Sequence, residues 1–223
     1  MGYSVSEENY IKTIFHLQQK HGKVTTNELA NHLNTRASSI TDMLKKLKKR
    51  NLVHYQPYQG FKLSVSGKKA AIEIIRRHRL WEFFLADKLK FNWDEVHEMA
   101  EQLEHVSNKK LIDKLDEYLA YPKFDPHGDP IPDINGKIDL TPQVSLDQWP
   151  LNKTAYVSQV IYSSPELLEL LSHHKITIGT ALEINKRFEY DGSIEIKVNH
   201  NAPVTISETL AKIIFVHHGS TYQ

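Results

Sequence analysis

Apolar residues in this chain follow two different rhythms. Up to about residue 120 they recur at three- and four-residue spacing, as helices facing a core require. From about Asn152 they fall instead into short β-prone runs. Between the two lies YPKFDPHGDPIPDINGK, whose four prolines and two glycines continue neither pattern and mark the best boundary in the chain. The rhythm predicts a helix over 6–20, capped by Ser6, with Tyr10, Ile11, Ile14, Phe15 and Leu17 inward, and ended by Gly22. Thr25 and Glu28 form a capping box for a short helix. After Asn34, Thr35 caps a third helix with Ile40, Met43, Leu44 and Leu47 inward. Two β-prone runs, Leu52–Gln56 and Phe61–Val65, flank the Pro57–Gly60 turn as a hairpin. Helices follow over 68–90, from Asn92 or Asp94 to about Ser107, and over 108–120. Beyond the boundary, strands are expected at Ala155–Tyr162, Ala181–Arg187, Ser193–Val198 and Ile213–His217, and a helix opened by Ser164 and Pro165. Short strands around one helix suggest a small β-barrel, and no internal repeat is present.

Composition removes several classes. The 223 residues contain no cysteine, which excludes disulfide scaffolds, thiolate zinc sites and cysteine nucleophiles. No apolar run approaches the ~20 residues that cross a bilayer. The start MGYSVSEEN has no basic segment followed by an apolar one, so a cytoplasmic protein without membrane partners is expected. The 13 histidines leave room for a nitrogen- and oxygen-ligated metal.

The formal net charge of +1 hides an asymmetry. Residues 1–72 hold 12 Lys/Arg and 4 Asp/Glu, whereas residues 73–150 hold 10 and 16. A polyanion suits the first block and a cation the second. The order helix, short helix, turn, helix, hairpin is that of a winged helix-turn-helix, whose third helix enters the major groove of duplex DNA. Thr35, Arg36, Ser38, Ser39, Thr41 and Asp42 stand at its base-reading end. Lys45, Lys46, Lys48, Lys49, Arg50 and Lys62 in the wing stand where phosphates pass. A solvated lysine face is the plainer alternative, and the hairpin directly after the lysine-rich helix favours DNA. The helix over 68–90 is denser in apolar residues than one monomer face needs, which predicts a homodimer.

The sharpest chemistry lies in DEVHEMAEQLEHVS. His97, Glu101, Glu104 and His105 project within about a quarter turn of one another on a helix. The preceding helix offers His78 and Glu82 four residues apart. Imidazoles and carboxylates from two helices are how bundle metal sites are built, and without thiolates they suit Mn2+, Fe2+ or Zn2+. A solvated Glu/His face would explain any one pair, but six such residues on consecutive helices favour a metal. HEMAE is not HExxH, and GxSxG, P-loop and GxGxxG motifs are missing, so no enzyme activity is expected. Two other readings stay open here: a winged-helix regulator answering an organic ligand, with a structural acidic helix pair, and a metal-dependent hydrolase.

The ordered segments YIKTIFHL, ANHLNTRASSITDMLKKLKKRNLV, GFKLSVSGKKAA, RRHRLWEFFLADKL, EVHEMAEQLEHVS and LDEYLAYPKFDPHGDPIP closely resemble the diphtheria-toxin-repressor family of iron- and manganese-dependent transcriptional repressors, over about residues 4–133. The last segment resembles that family's SH3-like domain more faintly. The resemblance implies a winged helix-turn-helix DNA-binding domain (1–72), a helical dimerisation and metal-binding domain (73–143) and an SH3-like β-barrel (152–223). It also implies a homodimer that binds a palindromic operator with metal, controls metal uptake and has no small organic substrate. By motif, His78, Glu82 and His97 correspond to the ancillary metal site, and Glu101, Glu104 and His105 to the primary one. The position of Glu101 holds a soft ligand in iron-sensing members and glutamate in manganese-sensing ones. Mn2+ is therefore expected first, Fe2+ second, and Zn2+ in vitro. Two positions depart from the family. Asn9 stands where relatives place a Met or Asp ligand, and Lys12 stands where manganese sensors place a Glu. Asp125 and His127 fall where some three-domain relatives place a Cys/His pair, so Glu82, Asp125 and His127 form an alternative set, and Glu166 offers a further carboxylate.

Overall fold

The computed structural model describes residues 2–22, 24–56, 60–138, 143–161, 164–199 and 201–218. The chain forms two compact units. One comprises residues 1–78, 101–117 and 132–138, the other residues 79–100, 118–131 and 139–223.

In the first unit, α1 (Val5–His21) opens at Ser4, not at Ser6. The Ser4 hydroxyl accepts from the Glu7 amide, and the Glu7 carboxylate accepts from the Ser4 amide. This reciprocal box satisfies two free donors and fixes the start. Gly22, at φ 70°, closes the helix. The expected Thr25–Glu28 box opens α2 (Thr26–His32). Asn34 then turns into the left-handed region, and the Thr35 amide bonds back to the Ala30 carbonyl. Thr35 therefore belongs to the turn. Arg36 is the cap of α3 (Ala37–Lys49), with no side-chain cap bond.

Ile11, Ile14, Val24, Leu29, Ile40, Leu44, Leu47, Leu52 and Leu63 form the core, with Met43 packed at its margin. Strands β1 (Val53–Gln56) and β2 (Gly60–Leu63) pair antiparallel as the wing. The expected turn at residues 57–59 lies outside the described residues. Gly60, at φ 73°, brings β2 against Val24: the Phe61 amide bonds the Val24 carbonyl at 2.8 Å, and a Cβ on Gly60 would stand 2.3 Å from that oxygen.

Helix α4 (Val65–Asp87) starts three residues before the sequence predicts. The Ser64 hydroxyl accepts from the Gly67 amide and donates to the Asn51 carbonyl, so the cap joins the helix to the turn after α3. Helices α5 (Val96–Val106) and α6 (Lys109–Tyr118) follow. Asn92–Glu95 forms a turn before α5, and Asn108 accepts from the Leu111 amide at the start of α6. The chain passes between the units within α4, within α5 and at the end of α6.

The second unit contains a six-stranded antiparallel sheet. Its strands are β3 (Val144–Ser145), β4 (Thr154–Val160), β5 (Ala181–Arg187), β6 (Ile194–Val198), β7 (Val204–Ile206) and β8 (Ile214–His217), in the order β3-β8-β4-β5-β6-β7. Helix α7 (Pro165–His173) bridges β4 and β5, and α8 (Glu208–Ile213) leads into β8. Trp149, Val157, Leu168, Leu171, Leu182, Ile196 and Val216 fill the core. The β6 side chains alternate buried and half-buried, as a sheet with one face packed requires. Among the described residues, no helix is long and apolar enough to cross a membrane.

Candidate metal centre

In the first unit, α4 contributes His78, α5 contributes Glu101, Glu104 and His105, and α1 contributes Glu8 and Lys12. Glu104 is fully buried, Glu101 half-buried. His78 Nδ1 lies 2.6 Å from Glu104 Oε2 and 3.9 Å from Glu101 Oε2. One ligand atom from each of these three residues falls within 4.8 Å of the others. His105 approaches from the same helix, its Nε2 3.5 Å from Glu104 Oε1 and 3.9 Å from Glu101 Oε1. Burial raises the Glu104 pKa, but hydrogen bonds and charge from His78 and Lys12 outweigh it and hold the carboxyl below its usual value.

The fit to a cation rests on His105. Its Nδ1 lies 2.7 Å from the Glu8 carboxylate, an acceptor. Glu8 is itself held by Arg77 Nη2 at 2.6 Å, and Arg77 Nη1 donates to the Ser107 carbonyl. A proton on Nδ1 leaves the Nε2 lone pair aimed among carboxylate oxygens. That Nε2 is buried and has no hydrogen-bond partner, and the same holds for Asn9 Oδ1 on α1. An orphaned imidazole nitrogen beside one buried and one half-buried carboxylate is what a metal ligand set looks like, and the Glu8–His105 pair is the outer support that metal-binding histidines use. His78, Glu101, Glu104 and His105 therefore fit a divalent ion.

Sequence reasoning missed Glu8 and Arg77. Glu8 stands one turn before Lys12 on α1, but nothing local couples it to a histidine 97 positions away. Lys12 occupies the centre rather than standing aside: its Nζ lies 2.5 Å from Glu101 Oε2 and 2.7 Å from Glu104 Oε1.

The expected ancillary set comes from α4, which carries His78 and Glu82, and from α5, which carries His97. His78 bonds Glu104 in the first unit, whereas Glu82 and His97 belong to the second, with His97 Nδ1 3.1 Å from Glu82 Oε1. There Glu82, Asp125 and His127 also gather, all buried, with ligand atoms within 4.8 Å of one another. His127 Nε2 lies 2.9 Å from the Trp93 carbonyl; a carbonyl only accepts, so Nε2 carries the proton. Nδ1 is then turned toward Glu82 Oε2, 3.8 Å away. Burial lowers the His127 pKa, but the Glu82 hydrogen bond and charge, helped by Asp125 and the Trp93 carbonyl, raise it to about 9. Burial, with the charges of Asp129 and Glu82, pushes Asp125 well above the usual carboxylate range. Asp125 Oδ1 accepts from the His127 and Asp129 amides, which fixes the loop, and Arg79 Nε lies 3.6 Å from Oδ2. Glu166 does not join either group. It is exposed on the first turn of α7, and the Ser164 hydroxyl lowers its pKa.

On α3, Arg36 at its cap, Ser38, Ser39, Thr41, Asp42, Lys45, Lys46 and Lys49 are exposed, and Thr35 is half-buried in the preceding turn. Thr41 donates its hydroxyl to the Ala37 carbonyl, and Lys45 pairs with Asp42 at 3.2 Å. Lys46 and Arg50 both reach Glu7 on α1, at 3.5 and 2.9 Å. Arg50 thus braces α3 against α1. Lys62 is half-buried in β2, opposite His54.

Residues 3–61 match the family model of the iron dependent repressor N-terminal DNA binding domain, and residues 64–133 that of its metal binding and dimerisation domain. Residues 144–218 match the FeoA domain. The HTH-type transcriptional regulator MntR of Oceanobacillus iheyensis is 32% identical over 120 residues, 54% of this chain and 81% of that protein. The chain belongs to the diphtheria-toxin-repressor family. Its members are metal-dependent transcriptional repressors. The diphtheria toxin repressor of Corynebacterium efficiens is 26% identical over 187 residues, 79% of this chain and 81% of that one. Among solved structures, a manganese-dependent transcriptional repressor in complex with manganese superposes with a TM-score of 0.85 at 32% identity, covering 94% of this chain and 98% of that one. The manganese regulator SloR gives a TM-score of 0.78 at 28% identity, covering 97% and 99%. The expected architecture of winged helix, helical dimerisation segment and SH3-like domain is thus that of the family.

Proposed function

We propose that this repressor is activated by Mn2+, with Fe2+ as second choice and Zn2+ able to bind in vitro. Its primary centre is formed by Glu101, Glu104, His105, Asn9 and His78. The single observation that carries the proposal is the buried, partnerless His105 Nε2, which faces two carboxylates while Glu8 holds the other nitrogen. All five ligands are oxygen or imidazole donors with no sulfur, which favours a hard ion. Glu82, Asp125 and His127 form a second centre, joined on one side by His97. Segment 1–72 reads DNA, segment 73–143 binds metal and dimerises, and segment 152–223 is the SH3-like domain. Ile72, Trp81, Phe83 and Phe84 of α4 keep partial exposure, which suits a homodimer contact.

A divalent ion, when bound, would supply positive charge between Glu101 and Glu104. Asn9 then ties α1, and with it the DNA-binding core, to α5. In the homodimer the two α3 helices are held one helical turn apart, matching a palindromic operator. Arg36, Ser38, Ser39, Thr41 and Asp42 face base edges; Thr35, Lys45, Lys46, Lys49 and Lys62 face phosphates. The regulated genes encode metal uptake, and the protein works in the cytoplasm without catalysing a reaction.

The test is operator binding by the purified protein, titrated with Mn2+, Fe2+ and Zn2+ and reversed with chelator. Binding is expected to rise with metal, Mn2+ first. Glu104→Ala and His105→Ala are expected to lose the response while remaining folded. Variants that respond like the parent would overturn the assignment.

A further inference from the structure

We propose that Lys12 is a built-in counter-cation of the primary centre, which an incoming divalent ion must displace, and that it sets how much metal the repressor needs. The inference rests on the primary-centre reading above. Lys12 is 13% exposed, and its ammonium bridges one oxygen of Glu101 and one of Glu104 at 2.5 and 2.7 Å. These two carboxylates are the only anionic groups in the proposed ligand set. An ion at the ~2.0–2.2 Å typical of small divalent metals on oxygen would draw on the same two carboxylates. An ammonium and a divalent ion repel strongly at such separations in a buried site, so both cannot keep these contacts.

The flexible four-carbon stem allows the exchange. Lys12 can swing its ammonium away while its backbone stays on α1, since Ile11 and Ile14 remain fixed in the core. Asn9, one turn earlier, stays with its Oδ1 already buried and unpartnered. Without metal, the lysine compensates the buried Glu104 and the half-buried Glu101 and links α1 to α5. With metal, the ion and Asn9 take over that link. Metal affinity is thus lowered by whatever the lysine contact is worth, and the site is tuned to a higher metal concentration than its ligands alone would set.

The experiment measures Mn2+ affinity of the full-length protein by competition with a metal-binding dye, for the parent, Lys12→Met and Lys12→Arg. Lys12→Met keeps the length and removes the charge, and is expected to bind Mn2+ about ten-fold tighter or more, while its metal-free form melts at lower temperature. Lys12→Arg keeps the charge and is expected to stay within about three-fold of the parent. If Lys12→Met does not fold, Lys12→Gln replaces it, and a structure of the parent with Mn2+ decides directly: the ammonium must have left both carboxylates. Unchanged or weaker Mn2+ binding by Lys12→Met at the site that Glu104→Ala removes overturns the role of Lys12. A number of bound Mn2+ ions that Glu104→Ala leaves unchanged overturns the primary-centre reading instead.

Discussion

Single residues decide whether the first unit can hold its charges. Glu8 touches no proposed metal position, yet it fixes which nitrogen of His105 carries the proton. Glu8→Gln is expected to weaken Mn2+ binding about ten-fold or more, the usual cost of losing such a support, with the fold intact by circular dichroism. Its neighbour Glu7 points elsewhere, into the α1–α3 contact. Burial raises its pKa, but the Ser4 amide, Arg50 and Lys46 together lower it to about 2 from an ordinary 4.5. The folded value lies below the unfolded one. The carboxylate therefore stabilises the fold above about pH 4.5, and that contribution fades as pH falls toward 2. Glu7→Gln is expected to cost about 1–3 kcal/mol at pH 7, the range for a charge-assisted hydrogen bond. Urea denaturation at pH 7 and pH 3 should show the difference from the parent shrinking at the lower pH. An equal difference at both would contradict the pairing. The sequence showed Glu7 and Glu8 as neighbours in a first turn. Only their facing partners, Arg50 and His105, tell them apart.

At the scale of elements, the long helices were legible because their apolar stripes and end signals agree. Gly22 and the Thr25–Glu28 box stand where the sequence puts them, as do Ser164 and Pro165 at the start of α7. The errors are at starts decided by distant partners. Ser64 opens α4 because its hydroxyl also reaches the Asn51 carbonyl, a contact between residues 13 positions apart. Thr35 is not the cap of α3: its amide closes the turn onto Ala30, and the helix opens one residue later at Arg36. Strands β3 and β7 and helix α8 have two, three and six residues, too few for a periodicity to show. The loop carrying Asp125 and His127 depends on Gly128, at φ 84°, where an added Cβ would stand 2.0 Å from the Ser158 carbonyl oxygen of β4. Gly128→Ala is expected to lower stability by about 1–3 kcal/mol through strain at a positive φ. It should reduce the number of Mn2+ ions bound by the folded protein while leaving the response that depends on Glu104. Thermal melting and metal counting on one preparation check both.

For the whole molecule, the charge asymmetry becomes a division of labour. The basic block forms the winged helix with α3 exposed, and the acidic block supplies the clusters of imidazole and carboxylate. If Lys45 and Lys49 contact phosphates in each half of a dimer, replacing both with alanine removes four contacts. The slope of log operator affinity against log salt should then flatten by about 3–4. Arg36→Ala should cost about 1–3 kcal/mol on the specific operator and little on random duplex, if it reads a base. Fluorescence anisotropy across a salt series separates the two effects. The amino-acid order alone settled the element types, the winged-helix arrangement, the lack of thiolate ligands and the histidines and acids worth watching, because periodicity, caps and donor chemistry are local properties. Folding in three dimensions settled which helix start each cap serves, which imidazole is braced by Glu8, how Glu82 divides its contacts between His97 and His127, and that Lys12 sits between two carboxylates. Those outcomes join atoms tens of residues apart, and no spacing along a chain encodes a distance across a core.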